Sequence, residues 1–228
     1  MLMEVRLNNV LAFNKPVVFS TNADMRTKRF ISNVHLENGN NIVKSTAVYG
    51  PNNTGKTCLI KGIASIIDIL LNNETHLIPN LFTHSPICEL GIAFLYEQKK
   101  YDYTITYDAQ LEEIIYEHFV HKYYDDYNNE KSDTLILKDI KKQEFKCIDP
   151  KVEPLMEVVA NKALLCHAID TSKFSKLAEI KRIITGFASS IDIINMNNIP
   201  IDRTIKLLKN KNNIQKKIVN FIKQADVY

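Results

Sequence analysis

The chain has no C-x-x-C pair: Cys58, Cys88, Cys147 and Cys166 stand far apart, which fits neither a zinc ribbon nor a small disulfide scaffold. They read as reduced, buried thiols. No run of about 18 apolar residues occurs, and no basic stretch leads into an apolar segment at the start, so the expectation is a cytoplasmic protein without a membrane segment. A formal charge of +3 lacks the strong or clustered basic excess that marks a polyanion binder. No internal repeat is visible. Against these absences stand 45% hydrophobic and 24% charged residues, a composition that folds rather than stays disordered, on a 228-residue length that suits one sizeable core with an appended lobe.

Val5, Leu7 and Val10 alternate with polar neighbours, and Val17, Val18 and Phe19 form a second β-prone run, so the first 19 residues read as a hairpin. Residues 22–41, with Lys28, Arg29, Asn38, Gly39, Asn40 and Asn41, read mostly as loop. Ala47, Val48 and Tyr49 form a short apolar run that stops at Gly50 and Pro51, a strand followed by a turn. From Gly55 to Leu71, the residues Leu59, Ile60, Ile63, Ala64, Ile66, Ile67, Ile69 and Leu70 cover most of a helix surface, which predicts a deeply buried helix ending near Asn72 and Asn73. Residues 89–96 and 101–107 are expected to pair as a hairpin, and residues 135–137 and 144–148 to add two short strands. Beyond Pro154 three helices are predicted, over 155–163, 173–189 and 202–225.

Between the predicted strand and the predicted helix lies Gly50-Pro51-Asn52-Asn53-Thr54-Gly55-Lys56-Thr57, which satisfies G-x-x-x-x-G-K-[ST] in the setting that gives this pattern meaning. Glycines let the backbone approach phosphate oxygens, and amides at the helix N-terminus, through Cys58, point at the anion. Lys56 is expected on the β- and γ-phosphates as the catalytic lysine, and Thr57 on magnesium. At this chain's own residue frequencies the pattern arises in roughly 0.2% of shuffled sequences, so chance is a poor explanation. The expected ligand is a nucleoside triphosphate with Mg2+. The loop reads phosphates, not bases, but the base-reading N-K-x-D of GTPases is absent, which favours ATP. Residues 1–150 are then a nucleotide-binding α/β lobe with β-hairpins, and residues 151–228 its helical extension.

Asn8-Asn9-Val10-Leu11-Ala12-Phe13 at the start, Tyr49 leading into the loop, Asn52 within it, residues 94–103 and the tail Phe221-Ile222-Lys223-Gln224-Ala225-Asp226-Val227 follow one order. In these features the chain resembles the N-terminal half of the ABC-type AAA family ATPases, the group related to SMC, RecF and OLD proteins that includes abortive-infection ATPases. The resemblance runs end to end, but only the loop is highly specific. It implies a P-loop NTPase fold of ABC/SMC-like type, with a mixed sheet, an antiparallel β portion and a helical C-terminal part. It also implies ATP hydrolysis in the complete or assembled enzyme, in a homodimer or with a complementary ATPase half, and a role in DNA repair or phage defence. The family's second half is missing: no two glycines are adjacent, so no S-G-G signature exists, and no apolar strand ends in Asp-Glu. The nearest imitation, Leu164 to Asp170, is interrupted by Cys166 and His167. Gln98 sits in an expected turn, so no magnesium-contacting glutamine is assigned. The expectation is therefore a truncated or split ATPase, or a short relative that binds ATP as a regulatory module without turning it over.

Other candidates carry less. His118 and His121, beside Glu117, have the spacing of a metal pair on a helix, yet without a third ligand they read as surface residues. Phe13 is either a core residue or a ring that stacks on adenine. Arg203, Lys206, Lys209, Lys211, Lys216, Lys217 and Lys223 form a basic helix face that suits a nucleic-acid backbone or plain solvent. Tyr123, Tyr124 and Tyr127 read as a solvated loop rather than a base-stacking platform.

Overall fold

The computed structural model describes residues 1–26, 31–37, 39–75, 77–125, 127, 129–194 and the single positions 205, 209, 216, 217 and 220. The chain divides into two compact units, one over Met1–Ile191 and another over Asp192–Tyr228. The first unit is mixed α/β, built on a seven-stranded sheet in the order β2-β1-β5-β6-β7-β8-β9. Its strands are β1 (Leu2–Asn8), β2 (Val17–Ser20), β5 (Ile87–Tyr96), β6 (Lys99–Asp108), β7 (Glu113–Tyr124), β8 (Glu130–Asp139) and β9 (Glu144–Cys147), and every neighbouring pair is antiparallel. A separate hairpin joins β3 (Val34–Glu37) to β4 (Asn40–Val43). The long helices are α1 (Lys56–Asn72) and α4 (Ser175–Ala188), with single turns α2 (Glu153–Met156) and α3 (Leu165–Ala168) between them.

Alternation assigns the two faces of the sheet. Val5, Leu7, Leu90, Ile92, Phe94, Tyr103, Ile105, Phe119 and Ile136 are buried on one face, and both long helices pack there. Leu7 meets α1 at Gly62, where an added Cβ would stand 2.6 Å from Leu7 Cδ1. Phe94 stacks on Phe187 of α4 with ring centroids 3.9 Å apart. Along α4, Leu177, Ile180, Ile183, Ile184 and Phe187 are buried at helical spacing, an apolar stripe laid against the sheet. The opposite face carries Glu4, Arg6, Asp102 and Lys122, tied by ion pairs. At one end of that face Ile42 of β4 covers Met3, Ala93 and Leu95.

The opening hairpin, the β5–β6 hairpin, β9, α1 and α4 form where the sequence predicts them, whereas β8 includes the predicted 135–137 but extends well beyond that short strand, over Glu130–Asp139. Glu97 and Gln98 make the two-residue β5–β6 turn with φ of 50° and 64°, the positive pair that matches strand twist. Asn73 ends α1 in the left-handed conformation, its N–H on Ile69 O at 3.1 Å.

Three expectations are corrected. Among the described residues of 22–41, β3 and the first half of β4 are strand where loop was expected. Residues 47–49 form no strand: they run unpaired, with Val48 and Tyr49 exposed. The helix expected over 155–163 shrinks to the single turn α2, with Pro154 in its first turn. Leu164 to Asp170, already set aside as an acidic strand, carries the turn α3 in its middle. Ile60 and Ala64 of α1 are also less buried than the expected all-round burial requires.

Of the helix expected over 202–225, Ile205, Lys209, Lys216, Lys217 and Asn220 are helical and exposed, and its other positions, with the tail at 221–227, lie outside the described residues. All four cysteines are free; Cys88, Cys147 and Cys166 are buried and Cys58 is half-buried. Burial pushes the Cys88 thiol up to about 11, so it is inert at neutral pH. Among the described residues, no helix is long and apolar enough to cross a membrane.

Candidate functional site

Residues 50–57 form a loop closed by its own side chains. The Lys56 ammonium turns back into it and donates to Gly50 O at 2.8 Å and to Pro51 O, with Thr54 Oγ1 3.5 Å away. The Thr54 hydroxyl donates to Pro51 O at 2.9 Å. A lysine bonded to the first two carbonyls of the loop that carries it places its positive charge at the loop's centre. Asn53 takes φ 63°, which asparagine tolerates better than most side chains, and Gly55 takes φ 91°.

The intrahelical ladder of α1 starts with Leu59 N–H on Gly55 O at 2.9 Å, so the amides of Lys56, Thr57 and Cys58 precede it. The positive end of a helix of 17 residues therefore lies beside the ammonium. A cavity of about 580 Å³ opens there, lined by Ala12, Asn52, Asn53, Thr54, Gly55, Lys56, Thr57 and Cys58. One cation and no carboxylate stand among these lining residues, so the cavity favours an anion.

Every sequence-predicted loop residue is thus brought together: Asn52 through Cys58 line the cavity, while Gly50 and Pro51 supply carbonyls to Lys56. Thr57, the residue expected on magnesium, is exposed at the cavity wall. Ala12 is an additional wall residue, about 40 positions before the loop, which the sequence offered only within the segment Asn8 to Phe13 and not as part of the site. Phe13 is half-buried, and its Cε1 would stand 3.2 Å from a Cβ added at Gly55, so its ring lies on the loop.

The structure separates the other candidates from this site. His118 and His121 lie on β7, a strand, where an odd spacing sends side chains to opposite faces. His118 Nε2 is 3.5 Å from Thr134 Oγ1, whereas His121 packs between the rings of Tyr101 and Tyr123. Burial lowers both imidazole pKa values. No group of three potential metal ligands occurs among the described residues. Gln98 is in the β5–β6 turn, as expected. Tyr123 and Tyr124 end β7 rather than occupy a loop, with Tyr127 exposed beyond them. Neither a scan against protein-family models nor a search of curated proteins finds a match for this chain.

Proposed function

We propose that this protein binds a nucleoside triphosphate, ATP with Mg2+, at residues 50–58. The observation that carries the reading is the placement of Lys56 Nζ on the carbonyls of Gly50 and Pro51, beside the N-terminal amides of a long buried helix. Bound phosphate would meet these amides and the ammonium, and Thr57 would hold the metal. The ion would screen the phosphate charge and supply Lewis-acid chemistry when bound.

The finer reading is a lobe of an ABC/SMC-like P-loop ATPase that hydrolyses ATP once a homodimeric or complementary half completes the site. The order of loop and long helix supports it. A second reading, a regulatory module that binds ATP without turnover, is favoured by the lack of a carboxylate among the lining residues, which leaves no acidic group there to orient an attacking water.

Lys56→Ala decides whether the site is real. Loss of a charge-assisted contact of about 2 kcal/mol should weaken ATP binding on the order of 30-fold in a calorimetric titration with magnesium. Unchanged affinity would remove the assignment. Turnover that vanishes with Lys56→Ala would favour the ATPase over the regulatory module.

A further inference from the structure

Among the described residues, no hydrogen bond holds the loop at residues 50–57 from the side on which the chain enters it. Among the described residues, 47–49 make no hydrogen bond, and the bonds of Lys56 and Thr54 are internal to the loop. The turn at residues 10–13 touches the loop from outside, placing Ala12 in the cavity wall and the Phe13 ring on Gly55.

That turn is fixed by a carboxamide. Asn9 follows β1 with φ 54° and is 5% exposed. Its Nδ2 donates to Ser85 O and Ile87 O, each at 2.8 Å. Its Oδ1 accepts the Asn80 N–H at 3.2 Å and the Thr83 hydroxyl. Both donors and the acceptor oxygen are thus engaged, and every partner lies in the segment entering β5. Asn80, also 5% exposed, returns the connection: its Nδ2 donates to Leu11 O at 2.7 Å, while the Leu11 N–H donates to Ile78 O at 2.9 Å. Reciprocal bonds between Val10 and Phe13, at 3.1 and 2.9 Å, close the turn.

We propose that Asn9 is a positioning residue for the phosphate loop, acting through Asn80 and the turn at 10–13 to hold Phe13 against Gly55. This rests on the nucleotide-binding reading for its effect on affinity, but not for its effect on the loop. Asparagine is suited here twice, because it adopts positive φ and offers donors and an acceptor together. Aspartate has the same shape but turns an oxygen toward the Ser85 and Ile87 carbonyls, so Asn9→Asp breaks the hub with little change of volume.

The test measures backbone hydrogen exchange and ATP affinity in the full chain for wild type, Asn9→Asp, Phe13→Ala and the double variant. Expected is faster exchange in Asn9→Asp without nucleotide at Leu11 and Phe13 and at Leu59, whose amide bonds Gly55 O, with exchange in α4 unchanged. ATP affinity should fall about tenfold or more, and Phe13→Ala should lose a similar factor. The double variant should lose little beyond either single one, since both break one connection. Unaltered exchange at Leu59 in folded Asn9→Asp overturns the proposal even if ATP binds; so do fully additive affinity losses. Should Asn9→Asp fail to fold, Phe13→Ala, whose ring is only half-buried, carries the exchange test alone: no change at Leu59 overturns it. Failure of the nucleotide reading would show differently, as ATP affinity indifferent to Lys56→Ala.

Discussion

Gly55 is constrained twice, by φ 91° and by a Phe13 ring that leaves 3.2 Å for any Cβ. Gly55→Ala therefore meets left-handed strain of about 1–2 kcal/mol and pushes on Phe13. We expect thermal unfolding to shift down by that amount and ATP affinity to fall by about tenfold or more; an alanine variant that binds as tightly as wild type would show that the loop tolerates another path. Asp102 gives a pH-dependent case. Burial raises its carboxyl pKa, but hydrogen bonding and charge from Arg6, with Lys122 3.1 Å away, outweigh burial and leave it below the ordinary carboxylate value. A depressed folded pKa adds stability above the unfolded value, near pH 4, and that stability is lost as pH falls through the folded one. Asp102→Asn should cost about 2 kcal/mol in urea unfolding at pH 7, with the gap to wild type closing as pH drops below about 4. At this scale the sequence revealed the loop residues because their chemistry is compressed into eight consecutive positions. Asn9 was legible only as part of a resemblance, since its partners Asn80, Thr83, Ser85 and Ile87 are more than 70 residues away.

Among the elements, β7 was the largest omission. Its sequence Glu-Ile-Ile-Tyr-Glu-His-Phe-Val-His-Lys-Tyr-Tyr is rich in β-formers, but Glu117, on the buried face, breaks the apolar alternation. Glu117 accepts the Tyr103 hydroxyl at 2.5 Å and the Leu165 amide at 3.0 Å, a tertiary solution that no local pattern announces. Opposite it on β8 stands Lys138, fully buried, whose Nζ has no hydrogen-bond partner among the described residues. Burial pushes the Glu117 carboxyl up and the Lys138 ammonium down, so both ionise reluctantly. Because Glu117 keeps both its donors, Tyr103 and Leu165, Lys138→Met should stabilise the sheet, by about 1–3 kcal/mol in denaturant unfolding. A loss instead would mean that the pair's attraction exceeds its desolvation cost. The β3–β4 hairpin was hidden by Gly39 and by Asn40 and Asn41 of β4, which read as loop until Ile42 finds Met3, Ala93 and Leu95.

Across the whole described molecule, the seven-stranded sheet is antiparallel throughout, with one face under α1 and α4 and the other largely polar. The mixed α/β class and the hairpins were legible because they rest on local alternation and turn chemistry. The strand expected before the loop was not realised, since a β-prone run becomes a strand only beside a neighbour, and residues 47–49 have none among the described residues.

That bare stretch also governs how the protein behaves at high concentration. From Ser45 to Tyr49 there is no charge and no proline, the residues by which exposed strands discourage other chains from adding to them. Two molecules that meet there can zip together through main-chain groups alone, so colloidal stability, rather than folding stability, should limit its storage. Val48→Lys installs the missing gatekeeper on an exposed side chain. Light scattering should then show an apparent mass that climbs with concentration for wild type and stays flat for the variant, while both melt at the same temperature.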